Sequence, residues 1–558
     1  MWSRGVYSGL YCSFGPQARL SRSGISFVCL PIISHISASC RTARFSSSVH
    51  PADARSLSVK SEIEAELIAS NGSKWLQPLG LFINNEFVTG SNGHRLATIN
   101  PTTEEEICSV HAATAEDVDR AVAAARKALG DPAWKLLSGT ERGALMYKLA
   151  DLIGEHREIL ATIETVDNGK PYKAALEEDL VSVQQVLRYY AGWADKNFGQ
   201  VIDVGPSKLA YTVKQPVGVC GQIIPWNYPL DMAAWKLGPA LCCGNTVVLK
   251  LAEQTPLSGL YLARLIKTAG FPPGVINIVN GHGREAGAAL VRHTGVDKIA
   301  FTGSTATGKE IMKMAAGTMK NVTLETGGKS PLLVFHDANL ELAATWAHVG
   351  VMSNQGQICN ATSRVLVQED VYEEFLSLFK SKVEKVSVLG DPFESSTFQG
   401  PQVTRAQLER VLRYVEIARD EGATVFVGGT PAPRDGKGFF VAPTVFTNVT
   451  PSMRIYQEEV FGPCVTVSRF KTEGEAISMA NGTLYGLGGA LFTRDLTRAH
   501  RVAREIEAGM VFVNSSIDSD FRVPFGGIKQ SGIGRELGEA ALASYYNIKS
   551  IHVNLKAD

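Results

Sequence analysis

From residue 216 onward, short apolar runs alternate with stretches whose apolar residues recur every three or four positions. Residues 217–224, 246–249, 275–279, 298–302 and 322–324 read as strands, and 229–243, 256–269, 285–293 and 307–319 between them read as helices. Pro229 opens the first of these helices, and Gly244 with Asn245 stops it. Strands alternating with helices predict an open, largely parallel α/β sheet of the Rossmann-like kind, with ligands at the carboxyl ends of its strands. Asn227, Lys250, Gly303 and Glu325 fall at those ends. A second α/β series follows, with a strand at 332–335, a helix at 340–349, a polar loop, a strand at 364–367 and a helix at 371–388. Upstream, 56–73 is polar and helix-prone, 80–88 reads as a hairpin around Asn84 and Asn85, and 114–129, 138–155 and 172–198 have helical spacing. The tail, 544–553, is apolar and β-branched without a helical period. Left bare, such a tail is an open sheet edge, which points to a homo-oligomer, dimer or tetramer.

A chain of 558 residues is too long for one core and predicts two or three domains. Acidic and basic residues balance at 55 each, but the first fifty residues hold Arg4, Arg19, Arg22, Arg41 and Arg44 and no acid. The remainder therefore carries 50 basic against 55 acidic residues, which gives no electrostatic case for a nucleic-acid partner. The Ser- and Arg-rich segment 1–48 has the composition of a mitochondrial transit peptide and predicts the mitochondrial matrix, with the cytoplasm as the alternative. Its apolar run, 27–36, is too short to span a bilayer, so no membrane partner is expected. Outside the leader lie Cys108, Cys220, Cys242, Cys243, Cys359 and Cys464. No CxxC or Cys/His spacing joins them, so reduced thiols and no metal site are expected.

One of these cysteines stands apart. Cys359 sits in the polar, Gly-bearing loop 351–363, between a helical segment and a strand, where a thiol of modestly lowered pKa is a nucleophile suited to a carbonyl. Upstream, Val322-Thr-Leu-Glu325-Thr-Gly-Gly-Lys-Ser-Pro331 runs a strand into a carboxylate and then a glycine pair. Glu325 can reach a ligand there, and serves as a general base if burial raises its pKa. Together the two motifs resemble the aldehyde dehydrogenase superfamily, of the hydrolytic, non-acylating type, which combines a Gly-Gln-x-Cys loop with Leu-Glu-x-Gly-Gly-Lys-Ser-Pro. The resemblance runs from about Leu81 to Ile551.

The resemblance implies NAD, with NADP possible, and a division into domains. These are a coenzyme domain at 65–196 and 217–327, a catalytic domain at 328–527, and a small β oligomerisation element at 197–216 and 530–558. Gly303, Ser304 and Gly308 follow a strand and open a helix, whose backbone N–H groups suit a pyrophosphate. Lys250 and Glu253 match a family motif for the adenine ribose, although Leu251 stands where the family has proline. Ile224 and Trp226, beside Asn227, are assigned to the cofactor, as are Glu459 and Phe461 of Glu-Glu-Val-Phe-Gly-Pro. Asn227 is expected to donate its amide to an oxyanion, together with the Cys359 N–H.

The mechanism implied is attack of Cys359 on the aldehyde, hydride transfer to the nicotinamide, and hydrolysis of the thioester with Glu325 as base. Members that pass the acyl group to other acceptors lack that base. Tyr228, Met232 and Trp235 share one face of a helix and are expected to line the substrate pocket with Ser353, Ser519 and Phe525. Met352, Ile358 and Asn360 are expected around the nucleophile, giving a polar mouth that admits a bulkier or amino-bearing aldehyde. The alternative is a non-catalytic binding or structural protein on the same fold.

Overall fold

The computed structural model describes residues 55–556. The expected leader lies outside them. The five strands form as read, Val219–Ile223, Thr246–Lys250, Ile276–Val279, Lys298–Thr302 and Asn321–Glu325, all parallel. Val219–Ile223 lies between Thr246–Lys250 and Lys298–Thr302, so the order of strands reverses beside it and opens a crevice at its carboxyl end. Leu81–Ile83 and Glu86–Val88 extend one edge as the expected hairpin, with Asn84 and Asn85 at φ 54° and 62°, values asparagine tolerates. Gly532–Ile533, expected in the oligomerisation element, pairs instead with Asn321–Glu325 and closes the other edge.

A second sheet carries the Cys359 region. Its order runs Thr424–Val427, Thr444–Thr447, Cys464–Phe470, Arg364–Gln368, Pro331–Val334, Gly488–Phe492 and Met510–Val513. Pro51–Asp558 form one compact unit, so the two sheets share a body rather than standing as separate globules. Tyr546–Asn554 pairs along its whole length with Lys208–Pro216 in a small antiparallel sheet. Its outer edge has no partner among the described residues, and Ile548 on it is 65% exposed.

One stretch departs from the reading. Residues 56–73, expected as helix, are the strands Arg55–Ser61 and Glu64–Ile68 with the turn that follows. Ala65, Leu67 and Ala69 are buried in alternation with more exposed neighbours, and that period of two outweighs the helix-prone composition.

The Pro229–Cys242 helix presents Tyr228, Met232 and Trp235 to the crevice and is held from behind by the Leu180–Trp193 helix. Gly238 is where the two meet: a Cβ there would lie 2.5 Å from Cδ2 of Tyr190, a fully buried ring whose hydroxyl donates to the Gly538 carbonyl at 3.0 Å. Gly238→Ala is expected to destabilise the protein by about 1–3 kcal/mol through overpacking, read as a lower thermal midpoint. An unchanged midpoint would show that the helices part freely here.

Candidate active site

A cavity of about 350 Å³ opens at the carboxyl end of the first sheet, where the loop bearing Cys359 leans over it. Asn227, Tyr228, Met232, Trp235, Gly303, Ser304, Glu325, Cys359, Glu459, Phe461, Ser519 and Phe525 all line it, with Trp226. These residues come from two sheets and six separate stretches of chain, and the geometry that joins them is specific. Asn227 Nδ2 donates to the Gln357 carbonyl at 2.9 Å, and Asn354 Nδ2 donates to the Asn227 carbonyl at 3.1 Å. The loop pays for this in backbone strain, with Asn354 at φ 47° and Gln355 at φ 59°. Gly356 follows at φ 71°, its Cα packed so closely on Gly462 that a Cβ would lie 2.1 Å from the Gly462 carbonyl carbon.

Cys359 is half-buried, its exposed face turned to the cavity. The expected modest lowering of its pKa is not what the surroundings produce. Burial, then the Glu325 and Glu459 carboxylates, push the thiol up to about 12, against the Asn360 and Cys359 backbone N–H groups. Glu325 is 4% exposed and neither carboxyl oxygen has a hydrogen-bond partner. Burial, and then the neighbouring Glu536, hold its carboxyl well above the usual range, while Lys236 and Arg535 pull the other way. Thiol and carboxyl thus both favour their protonated forms. A base of raised pKa is what general-base work near neutral pH requires.

Lys236 and Glu536 escaped the sequence reading. They form a buried ion pair, with Lys236 Nζ also donating to Thr302 Oγ1 at 2.6 Å, and Glu536 lines the cavity beside Glu325. The available signal was a lysine in a helix whose only other charged residue is Asp231. Gln407, Arg410, Asp231 and Ile517 also line the cavity and were not foreseen.

Glu459 accepts a hydrogen bond from the Gly328 N–H at 3.0 Å, and Gly327 clears space for it, since a Cβ there would lie 2.3 Å from Glu459 Oε2. The Phe461 ring stands edge-on to Trp226 at 5.3 Å. Lys250 is buried at the end of its strand and holds Glu253 at 2.9 Å. Burial raises Glu253, but Lys250 outweighs it and leaves the carboxyl below its ordinary value. Ser304 caps the Thr305–Ala315 helix by accepting from the Thr307 N–H at 3.2 Å. The helix amino end therefore opens at the cavity rim.

Six expected residues are not among those lining the cavity: Lys250 and Glu253, at the neighbouring strand end, and four more. Gly308 does not line the cavity: a Cβ would lie 2.9 Å from Thr326 Cγ2, so it serves helix-to-strand packing. Ile224 is 3% exposed within the core. Ser353 ends the Leu340–Met352 helix and does not reach the cavity, and Met352 is fully buried against the second sheet. Among the described residues no group of three or more His, Cys, Asp or Glu could hold a metal ion, the cysteines are free thiols, and no helix is long and apolar enough to cross a membrane.

The sequence profile described as "Aldehyde dehydrogenase family" matches residues 87–551. The chain belongs to the aldehyde dehydrogenase family. An aldehyde dehydrogenase of Emericella nidulans is 54% identical over 484 residues, 86% of this chain and 96% of that protein. Retinal dehydrogenase 2 of Homo sapiens is 49% identical over 479 residues, 85% of this chain and 92% of that one. The aldehyde dehydrogenase from Bacillus cereus, solved as an NAD+ complex, superposes with a TM-score of 0.84 at 50% identity, covering 86% of this chain and 97% of that chain. Family membership makes the cavity the place to look for aldehyde oxidation, and its buried carboxyls give a measurable handle.

Burial raises the Glu459 carboxyl from 4.5 to about 7, against the Gly328 N–H, Arg410 and Lys329. The folded state therefore holds this proton more tightly than the unfolded chain, and stability from it is lost as pH rises from 4.5 through about 7. Glu459→Gln keeps the acceptor for Gly328 but cannot ionise. Its stability relative to the parent is expected to rise across that window by up to about 3 kcal/mol, at 1.36 kcal/mol per pKa unit, measured as paired thermal midpoints at several pH values. A difference that stays flat with pH would contradict the buried-acid reading.

Proposed function

We propose that this NAD-dependent aldehyde dehydrogenase oxidises its substrate to the carboxylic acid through a thioester on Cys359, with Glu325 as the base that releases it. The observation that carries the reading is the convergence, in one cavity, of the Cys359 thiol, the Asn227 amide and the unpartnered Glu325 carboxyl. Cys359 adds to the carbonyl carbon and gives up its proton to a neighbouring group. The oxygen, now negative, accepts from the Asn227 amide and the Cys359 N–H, a contribution typically of about 3 kcal/mol per donor. NAD, when bound, accepts the hydride. Glu325, ionised, takes a proton from water, which attacks the thioester carbon and frees the acid and the thiol.

The residues present fit NAD. Gly327 leaves a cradle that a Cβ would fill, Glu459 faces the cavity across it, and Trp226 and Phe461 flank the same region. Lys250 and Glu253 sit at the neighbouring strand end, where a carboxylate favours ribose hydroxyls over a 2′-phosphate. The division into a coenzyme and a catalytic part follows the two sheets. No observation favours the non-catalytic alternative.

Cys359→Ala is expected to abolish NADH formation. Glu325→Gln is expected to release about one NADH per site in a burst and then turn over about 10²–10⁴-fold more slowly, because the thioester forms and is not hydrolysed. A Glu325→Gln enzyme with no burst, or with unchanged turnover, would remove Glu325 from the second half of the reaction.

We place the protein in the mitochondrial matrix as an oligomer built on the Tyr546–Asn554 edge. The support is the acid-free, Arg-rich leader and the unpaired, partly apolar strand. A fluorescent protein fused after residue 50 is expected in mitochondria, and the mature enzyme truncated before Tyr546 is expected to elute as a monomer. A cytoplasmic fusion, or an unchanged elution volume, would overturn the respective placement.

A further inference from the structure

One acid that lines the cavity, Asp231, has no task in the oxidation chemistry, and it is backed by further acids behind the lining. The helical segment from Tyr172 to Trp193 is interrupted by a π turn at Ala175–Asp179, an irregularity frequent at functional sites, and that turn carries Glu178, Asp179 and Glu177, the last paired with Lys173. Asp231, from the first turn of the Pro229–Cys242 helix, faces the same group, which also includes Glu164. The cation serving it, Lys170, is already committed. Its ammonium bonds Asp179, lies 3.7 Å from Glu164 and stands 4.2 Å from the centroid of the Tyr228 ring. Asp231 lines the cavity and is 7% exposed; its carboxyl takes one side-chain hydrogen bond, from Ser182, while its Oδ1 has no hydrogen-bond partner. Its cavity-lining neighbours on the helix, Met232 and Trp235, are the residues a hydrocarbon-binding wall would have throughout.

We propose that Asp231 selects aldehydes that carry a primary ammonium at the end remote from the carbonyl, an inference that rests on the dehydrogenase reading above. An ammonium N–H donates to Asp231 Oδ1, and Glu178 and Asp179 add negative field around it. The Tyr228 and Trp235 rings, which line the cavity with Asp231, complete an aromatic and anionic surround of the kind that holds organic cations. Burial, then Asp179, hold the Asp231 carboxyl well above its usual range, and a cation beside it restores the carboxylate. Asp231 lies four residues beyond Asn227, in the first turn of the helix that begins at Pro229, and both line the one cavity.

The test compares NADH formation from 3-aminopropanal and from butanal, near-isosteric and differing in charge, in the parent enzyme, Asp231→Asn and Asp231→Glu. The parent is expected to have the higher kcat/KM for 3-aminopropanal. In Asp231→Asn the ratio of the two kcat/KM values is expected to fall about 10- to 100-fold, about 1.4–2.8 kcal/mol, mainly through KM, with Asp231→Glu recovering part of it. Without any variant, propylamine is expected to compete with butanal at far lower concentration than 1-propanol does. A parent that prefers butanal, a ratio unchanged in Asp231→Asn, or propylamine no better than propanol would overturn the inference while leaving aldehyde oxidation standing. NADH from neither aldehyde, nor from any other aldehyde tried with NAD present, would sink the dehydrogenase reading itself.

Discussion

The site depends on one hydrogen-bonded corner between the two sheets. Asn227 stands just past a strand of the first sheet, and Gln357 in the loop that leads into the second, and the Asn227 amide meets the Gln357 carbonyl at 2.9 Å. Asn354 closes the corner from the other side. Because Asn354 and Gln355 hold left-handed backbone angles to reach this position, the loop stays there only while its partners over-determine it. Gln402 does so by donating to the Gln355 carbonyl at 3.2 Å, and Gln357 by accepting from the Val403 N–H at 3.1 Å. The proposed oxyanion donor and the proposed nucleophile are therefore positioned by the same contacts. Their spacing is a property of the fold rather than of two flexible side chains.

Desolvation governs what those groups can do. Cys359, Glu325 and Glu459 share a poorly solvated space, and each ionised carboxylate makes the thiolate harder to form. A charge that is costly in the resting site is a charge that reacts when it appears, because little water stands by to stabilise it. The buried Lys236 and Glu536 pair sets a fixed dipole beside Glu325 without exposing it to solvent. The protein thus separates two needs: a carboxyl kept neutral by burial, and a nearby ion pair that can respond when its proton leaves.

Much of this was legible in the sequence, for a physical reason. Parallel strands buried on both faces read as continuous apolar runs, so their ends could be placed within a residue or two, and Asn227, Lys250, Gly303 and Glu325 sit at those ends. Proximity along the chain was a poorer guide. Met352 is only seven positions before Cys359, but the helix that contains it turns that side chain into the second sheet's core. Lys236 and Glu536 meet across 300 residues of sequence, and no local pattern announces such a pair. The strands at 55–68 were hidden because Ser and Glu give the stretch a polar reading, while the alternation of Ala65, Leu67 and Ala69 that decides the matter rests on two alanines and one leucine.

Asp231 and the acids behind it show how fold and specificity part company. The family profile covers 87–551, and the corner and the reacting groups lie within those residues. Asp231 stands in the first turn of the helix that follows Asn227. A buried aspartate there is favoured slightly by the helix dipole, but that small gain does not offset an unpartnered carboxyl oxygen in a desolvated cavity, which typically costs about 1–3 kcal/mol. Selection for stability alone would remove it. Its presence at 7% exposure on the cavity lining, backed by a π turn bearing three more acids, therefore bears on the ligand rather than on the fold.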